Sequence, residues 1–190
     1  MTSSMEALPQ DGGILLRRPT TGDVEALFAV HGDRQAYHFD PQQIHLDLAY
    51  TAAWLRPILQ HWVDNGFGFW TVVVPTDWWP AGPVGTGEHD AGGVIAGMGG
   101  IRIHLSAGHQ VLNVYFRFAP PVQGRGLAGQ VLSTAVGWAS DNLPGTDLVV
   151  RTRPDNTAAR RVALRAGFIE DGSDPEDPTM VMLRLRQSTR

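Results

Sequence analysis

Apolar and polar positions along this chain alternate between two periods, and the places where the period changes mark out the elements. Ile14 to Arg18 reads as a short strand, and Thr21-Gly22-Asp23 caps a helix through Ala26-Leu27-Phe28-Ala29-Val30. His31 to Gln43 is a polar loop. Leu46 to Val63 has helical spacing, with Pro57 predicting a kink or a break into two helices. Asn65-Gly66 then turns into the strand Phe67 to Val74, and Pro75 to Gly92, rich in Pro, Gly, Asp and Glu, reads as a surface loop. Gly93 to Leu105 and Val111 to Phe118 are strands joined by a hairpin turn at Ala107-Gly108-His109. A helix follows over Leu127 to Ser140, a strand over Leu148 to Arg151, a helix over Ala158 to Ala166 and a final strand over Thr179 to Leu185.

Strands early, then strand, helix, strand, helix, strand in turn, argue an α/β fold built on a mixed sheet with helices on both faces. A length of 190 residues suits one domain, and 43% hydrophobic residues with six Trp and seven Phe can fill a sizeable core. Cysteine is absent, which excludes disulfides, thiolate catalysis and cysteine-ligated metals. No apolar run approaches the roughly 20 residues of a membrane helix, and Met1 to Gln10 lacks a signal pattern, so a soluble cytoplasmic protein is expected. A net charge of −4 gives no support to nucleic-acid binding. All 15 basic residues are arginine. They concentrate locally at Arg151-Thr152-Arg153 and at Arg160, Arg161 and Arg165, where cations could neutralise a polyphosphate.

The chemistry centres on Val122-Gln123-Gly124-Arg125-Gly126-Leu127-Ala128-Gly129. A strand that ends in a glycine-rich turn feeding a helix aims several main-chain N–H groups at one point. With the positive end of the helix dipole they make a phosphate site. Gly124, Gly126 and Gly129 also match a dinucleotide fingerprint. That reading is disfavoured because roughly 120 residues precede the loop, and because Asp147 stands before the next strand rather than at its end.

A second motif follows: Asn156-Thr157-Ala158-Ala159-Arg160-Arg161-Val162-Ala163-Leu164-Arg165-Ala166-Gly167-Phe168. Together the two resemble the GNAT superfamily of N-acetyltransferases. Its loop pattern appears as Gln123, Gly126 and Ala128, and its helix pattern as Asn156, Ala159, Arg161, Val162, Gly167 and Phe168. The resemblance is good over roughly residues 93–185 and follows only the general layout before that. Lacking a tyrosine in the second motif, the chain looks most like the RimJ/RimL-like branch.

What the resemblance implies is a mostly antiparallel central sheet whose middle strands splay apart, with acetyl-CoA lying in the V. It assigns cofactor contacts to Phe116, Arg117 and Phe118 through their main chain. The phosphates go to Gln123, Gly124, Arg125, Gly126, Leu127, Ala128 and Gly129, with Asn156 and Arg161 completing the set. The implied reaction is acetyl transfer to a primary amine, either a protein N-terminus or a small molecule, by direct attack and without a metal. A homodimer is compatible with it.

An amine attacks only after losing a proton, so a base or a water relay is required. The base that many relatives carry is replaced by Asn113, and the usual tyrosine acid by Ala163. The five glutamates are Glu6, Glu25, Glu88, Glu170 and Glu176. None falls in an obvious catalytic segment, although Glu88 lies in a loop able to fold over the site. His104, His109, His31 and His38 remain, and His104 and Tyr115 rank first because their strands flank the thioester, with Asn113 as a water holder. The acceptor pocket is expected from the loop 31–45, the second helical stretch and the loop 75–92, with Tyr37, Phe39, Trp54, Trp62, Trp78 and Trp79 as aromatic candidates. Two other readings stay open: a catalytically weak acetyl-CoA-binding module, and a dinucleotide-dependent oxidoreductase.

Overall fold

The structure, a computed structural model, describes residues 5–79 and 93–188. Among these, strands β1 (Ala7–Pro9), β2 (Leu15–Arg17), β3 (Phe69–Pro75), β4 (Gly93–Ser106), β5 (His109–Phe118), β6 (Leu148–Thr152), β7 (Ile169–Ser173) and β8 (Val181–Leu185) form one sheet. Its order is β1-β2-β3-β4-β5-β6-β8-β7. The pairings β1–β2, β2–β3, β6–β8 and β7–β8 are antiparallel and β5–β6 is parallel. The helices are α1 (Val24–His31), α2 (Leu48–Asn65), α3 (Leu127–Asn142) and α4 (Thr157–Arg165). This is the mixed α/β architecture expected of the chain. None of these helices is long and apolar enough to cross a membrane.

Contacts divide the described residues into two compact units. The first takes in those of Ser4–Gly99 with Phe116–Leu127. Its core takes in Leu16 of β2, Trp70, Val72 and Val74 of β3, Leu27 of α1 and Leu55, Ile58 and Trp62 of α2, all almost wholly buried. A polar knot lies within this unit. Arg17 pairs two-pronged with the buried Asp23 (2.7 and 2.8 Å), and Thr71 Oγ1 and the Thr20 main-chain N–H also donate to it. Burial alone would raise the Asp23 pKa, but these donors outweigh it and hold the carboxyl below its ordinary value.

One sequence expectation, the break at Pro57, is corrected here. Pro57 does not break the helical stretch: α2 runs unbroken from Leu48 to Asn65. Asp47 caps its start by accepting from Tyr50 N at 2.7 Å, and Gly66 ends it at φ 74°. A proline costs about 3 kcal/mol inside a helix, less than burying Thr51, Leu55, Ile58 and Trp62 on one face returns. The polar loop after α1 is anchored by buried residues, Ala36, Tyr37, Asp40 and His45.

The second unit comprises Gly100–Tyr115 and the described residues from Ala128 onward. Its hairpin turn has positive φ at Ala107 (49°) and Gly108 (78°), as the twist of a tight two-residue turn requires. Asn156 caps α4 by accepting from Ala159 N at 3.1 Å. The helix stops where Gly167 (φ 88°) donates to Leu164 O and Phe168 N donates to Ala163 O, a Schellman motif that buries the Phe168 ring. Strand β7, every residue exposed, was not anticipated. It is held on β8 with ion pairs Arg184–Asp171 (2.6 Å) and Arg160–Glu170.

Candidate functional site

The glycine-rich loop has the shape its sequence asks for. After a single 3-10 turn at Pro120–Val122, Gln123 is extended, while Gly124 and Gly126 take φ of 79° and 84°, a region that glycine enters without steric cost. Val122 and Leu127 are buried and peg the loop at each end, whereas Gln123 to Gly126 stand in solvent. Gln123 Nε2 donates to Phe118 O at 3.0 Å and ties the loop to the end of β5. Arg125 lies over the Trp78 ring at 5.1 Å. Among the described residues, and apart from its chain neighbours and its own helix backbone, a Cβ placed on Gly124, Gly126 or Gly129 would meet no atom within 4 Å. These glycines therefore serve the backbone conformation and the open space above it, not internal packing. Ala128 and Gly129 belong to the first turn of α3, whose leading N–H groups have no helical acceptor.

The strand end before this loop is held by a different glycine. Gly97 of β4 has φ 148°, and a Cβ there would lie 2.0 Å from the Arg117 carbonyl oxygen and 2.9 Å from Phe118 Cα. Ala119 N donates to Ala96 O at 2.8 Å and closes the same contact. The rings of Phe116 and Phe118 lie nearly parallel, 6.5 Å apart, and Phe118 is buried.

Arg117 points its guanidinium at the segment after α1. Its Nη1 donates to Ala36 O at 2.6 Å, and its central carbon sits 3.8 Å from the Tyr37 ring centroid. Tyr37 Oη shares a 2.6 Å hydrogen bond with His31 Nδ1. His31 stacks on His45 at 4.7 Å, and His45 Nδ1 meets Thr51 Oγ1 of α2 at 2.9 Å. Burial, then the charge of Arg117, lowers the His45 pKa to about 4. Burial, then His45 and Arg117, lowers that of His31 well below its ordinary value. His31 is thus a buried neutral ring and not the exposed base candidate it resembled. His38 is exposed, its Nδ1 2.8 Å from Gln35 O.

In the second unit the catalytic candidates gather on one sheet face. Registered pairing of β5 with β6 runs from Leu112–Leu148 to Val114–Val150 and ends there. Alternation places Val111, Asn113 and Tyr115 on one side of β5, the side where Val111, Val149 and Met182 cluster. Ser106 Oγ, 3.9 Å from Met182 Sδ, brings that side of β4, with His104 and Arg102, to the same face. His104 Nε2 lies 3.0 Å from Glu176 Oε2, and Arg151 Nη2 lies 3.9 Å from the same oxygen while Arg151 also binds the buried Asp174. Burial pulls the Arg102 pKa down. Asn113 Oδ1 is buried without a hydrogen-bond partner among the described residues.

Asn156 spends its carbonyl oxygen on the α4 cap, and Arg161 is exposed on that helix. Ala163 is wholly buried, so no acid stands at that position. Glu88, with most of the loop 75–92, lies outside the described residues. Sequence reasoning missed the Glu176 contact with His104 and the reach of Arg117 to Tyr37, since no local pattern signals either. A surface groove between Arg18 and the Arg56, Gln60 and Val63 face of α2 contains none of the candidate residues.

The family model described as "Acetyltransferase (GNAT) domain" matches residues 14–169. An acetyltransferase from Agrobacterium tumefaciens is 23% identical, with 98% of each chain covered and a TM-score of 0.68. The Microcin C7 self-immunity acetyltransferase, solved with acetyl-CoA and AMP, is 12% identical over 97% of this chain and 98% of that one, with a TM-score of 0.69. Spermidine N-acetyltransferase from Vibrio cholerae, solved with CoA and spermine, is 17% identical over 92% and 95% of the two chains, with a TM-score of 0.63. With over half its length matched by the family model and the same fold in these structures, the chain belongs to the GNAT acetyltransferase family.

Proposed function

We propose that this protein transfers the acetyl group of acetyl-CoA to a primary amine, with the pyrophosphate held by residues 123–129. The observation that carries the reading is the loop itself: two glycines at positive φ, open space where side chains would stand, and a helix N-terminus behind. Main-chain groups of Phe116, Arg117 and Phe118 take the pantetheine arm, and Asn156 and Arg161 add contacts to the cofactor. In the transfer the amine nitrogen bonds the acetyl carbon, the C–S bond breaks, and the thiolate leaves to take up a proton. His104, backed by the Glu176 carboxylate, receives the proton lost by the amine. The buried Asn113 Oδ1 accepts from the amine or from a water that relays the proton. Tyr115 flanks the same face. Much of the rate comes from holding amine and thioester in register.

One neighbour of the fold is a spermidine N-acetyltransferase solved with spermine, and the RimJ/RimL-like branch adds protein N-termini. The acceptor side is built from the segment 31–45 and α2 in this proposal. Calorimetric titration with acetyl-CoA, followed by thiol release with a panel of N-terminal peptides and polyamines, tests it. Gly126→Ala should stay folded, since its Cβ meets no atom within 4 Å, yet bind acetyl-CoA at least about tenfold more weakly, because the methyl group stands where phosphate oxygens approach and φ 84° is strained for alanine. Unchanged affinity overturns the phosphate assignment. Binding with no thiol released by any amine leaves a binding module in place of an enzyme.

A further inference from the structure

We propose that Arg117 is a positioning residue that clamps the acceptor-side segment 33–45 to the strand end carrying the cofactor arm, so that acetyl-CoA binding orders the acceptor side. The inference rests on the reading above for where cofactor and acceptor bind. Its physical basis is a set of contacts within one compact unit. The Arg117 main chain is pinned: Gly97 lets its carbonyl approach β4 more closely than any side chain would allow. Its side chain leaves the strand and makes two contacts at once, a hydrogen bond to Ala36 O and a face contact on Tyr37. Only a planar guanidinium does both; an ammonium is a point charge without the plane.

Tyr37 carries the connection onward. It is 3% exposed, and its hydroxyl meets His31 at the end of α1. His45 N donates to His31 O at 2.9 Å, and the His45 ring reaches Thr51 in α2. The segment from Gly32 to Asp47 has no helix or strand beyond one short 3-10 turn. Apart from Ala36, Tyr37, Asp40 and His45 it buries little, so the few contacts of these residues decide whether it holds one conformation. Hydrogen bonds from the cofactor to the Phe116–Phe118 backbone hold the root of the Arg117 side chain still more firmly. The segment then responds through contacts that already exist. By linkage the acceptor must bind more tightly when acetyl-CoA is present.

Hydrogen exchange over residues 33–45, with and without acetyl-CoA, tests the clamp in the wild type, Arg117→Met and Tyr37→Leu. In the wild type, acetyl-CoA should slow exchange there by at least about fivefold. In both variants that ratio should fall toward one. With the amine that releases most thiol, the acceptor KM should rise about tenfold for each variant, with kcat changing less. A merely structural role would speed exchange with and without acetyl-CoA and leave the ratio intact, and that outcome overturns the proposal. So does a wild-type ratio of one despite measured acetyl-CoA binding. If acetyl-CoA does not bind the wild type at all, the functional reading fails instead. Should Arg117→Met not fold, Tyr37→Leu, which leaves the strand end untouched, decides between these outcomes by itself.

Discussion

Acidification from pH 7 to pH 5 should destabilise this protein through its buried histidines. His31 and His45 stack at 4.7 Å and are faced by the Arg117 guanidinium, the Tyr37 hydroxyl, Thr51 and the Trp54 and Tyr50 rings. Nothing in that set is an anion that would welcome a second proton. An imidazole in the unfolded chain titrates near 6.5, and His45 in the fold near 4. As the pH falls, the unfolded state takes up the proton first. The contribution is therefore intact above pH 6.5, shrinks across the window from 6.5 to 4, and is gone below it. For His45 alone the loss is about 2 kcal/mol at pH 5 and at most about 3 kcal/mol at the acid limit. His31, lowered in the same direction, adds to it. For a chain of this size, about 2 kcal/mol corresponds to a fall of about 4–8 °C in Tm. Carboxylates titrate as well, so the measurement is a comparison of thermal or urea unfolding at pH 7 and 5 for the wild type and His45→Gln. Glutamine has no proton to gain and can still meet Thr51. The wild type should lose about 2 kcal/mol more than the variant between the two pH values. Equal losses would show that His45 is not held neutral by its burial, and would refute the argument.

Two further outcomes bear on the reaction. Asn156→Ala should lose the α4 cap and about 1 kcal/mol of stability. Asn156→Asp should keep the cap, with an unchanged melting point, yet weaken acetyl-CoA binding by bringing a carboxylate to the phosphates; wild-type affinity in calorimetry would remove Asn156 from the cofactor site. His104→Phe should lower turnover by about two to four orders of magnitude with acetyl-CoA binding intact. Near-normal turnover would pass proton removal to a water held at Asn113.

The elements that carry their own punctuation were legible from the chain alone. Glycine at 124, 126 and 167 and the Ala107-Gly108 pair each dictate a local backbone state, and the structure has that state at each; the cap that Asn156 places on α4 was not read from the sequence. The alternating strands also announced the sheet. What escaped was set by contacts between distant residues. β7 reads Ile-Glu-Asp-Gly-Ser, which has no strand pattern, and only its pairing with β8 makes it one. Pro57 looked like a breaker because the burial gained on the opposite face of α2 cannot be seen locally. The segment 31–45 read only as a polar loop because Tyr37 and His45 find His31, Thr51 and Arg117 in three dimensions. Glu176 stood aside for the same reason, its approach to His104 being a matter of which face two strands present.

The contrast between Gly97 and the loop glycines bears on how variation in this chain should be interpreted. At 124 and 126 a side chain has room and meets only the strain of a positive φ, about 1–2 kcal/mol, so the fold bears change there better than at 97 and selection would act chiefly through the ligand. At 97 a single methyl collides with the neighbouring strand at 2.0 Å, and selection would act on the polypeptide before any ligand arrives. A mutational scan scored by abundance would separate the two kinds of glycine: position 97 depleted, 124 and 126 largely retained. Scored by acetyl transfer alone, all three would look alike, and a residue that only lets two strands close would pass for part of the active site.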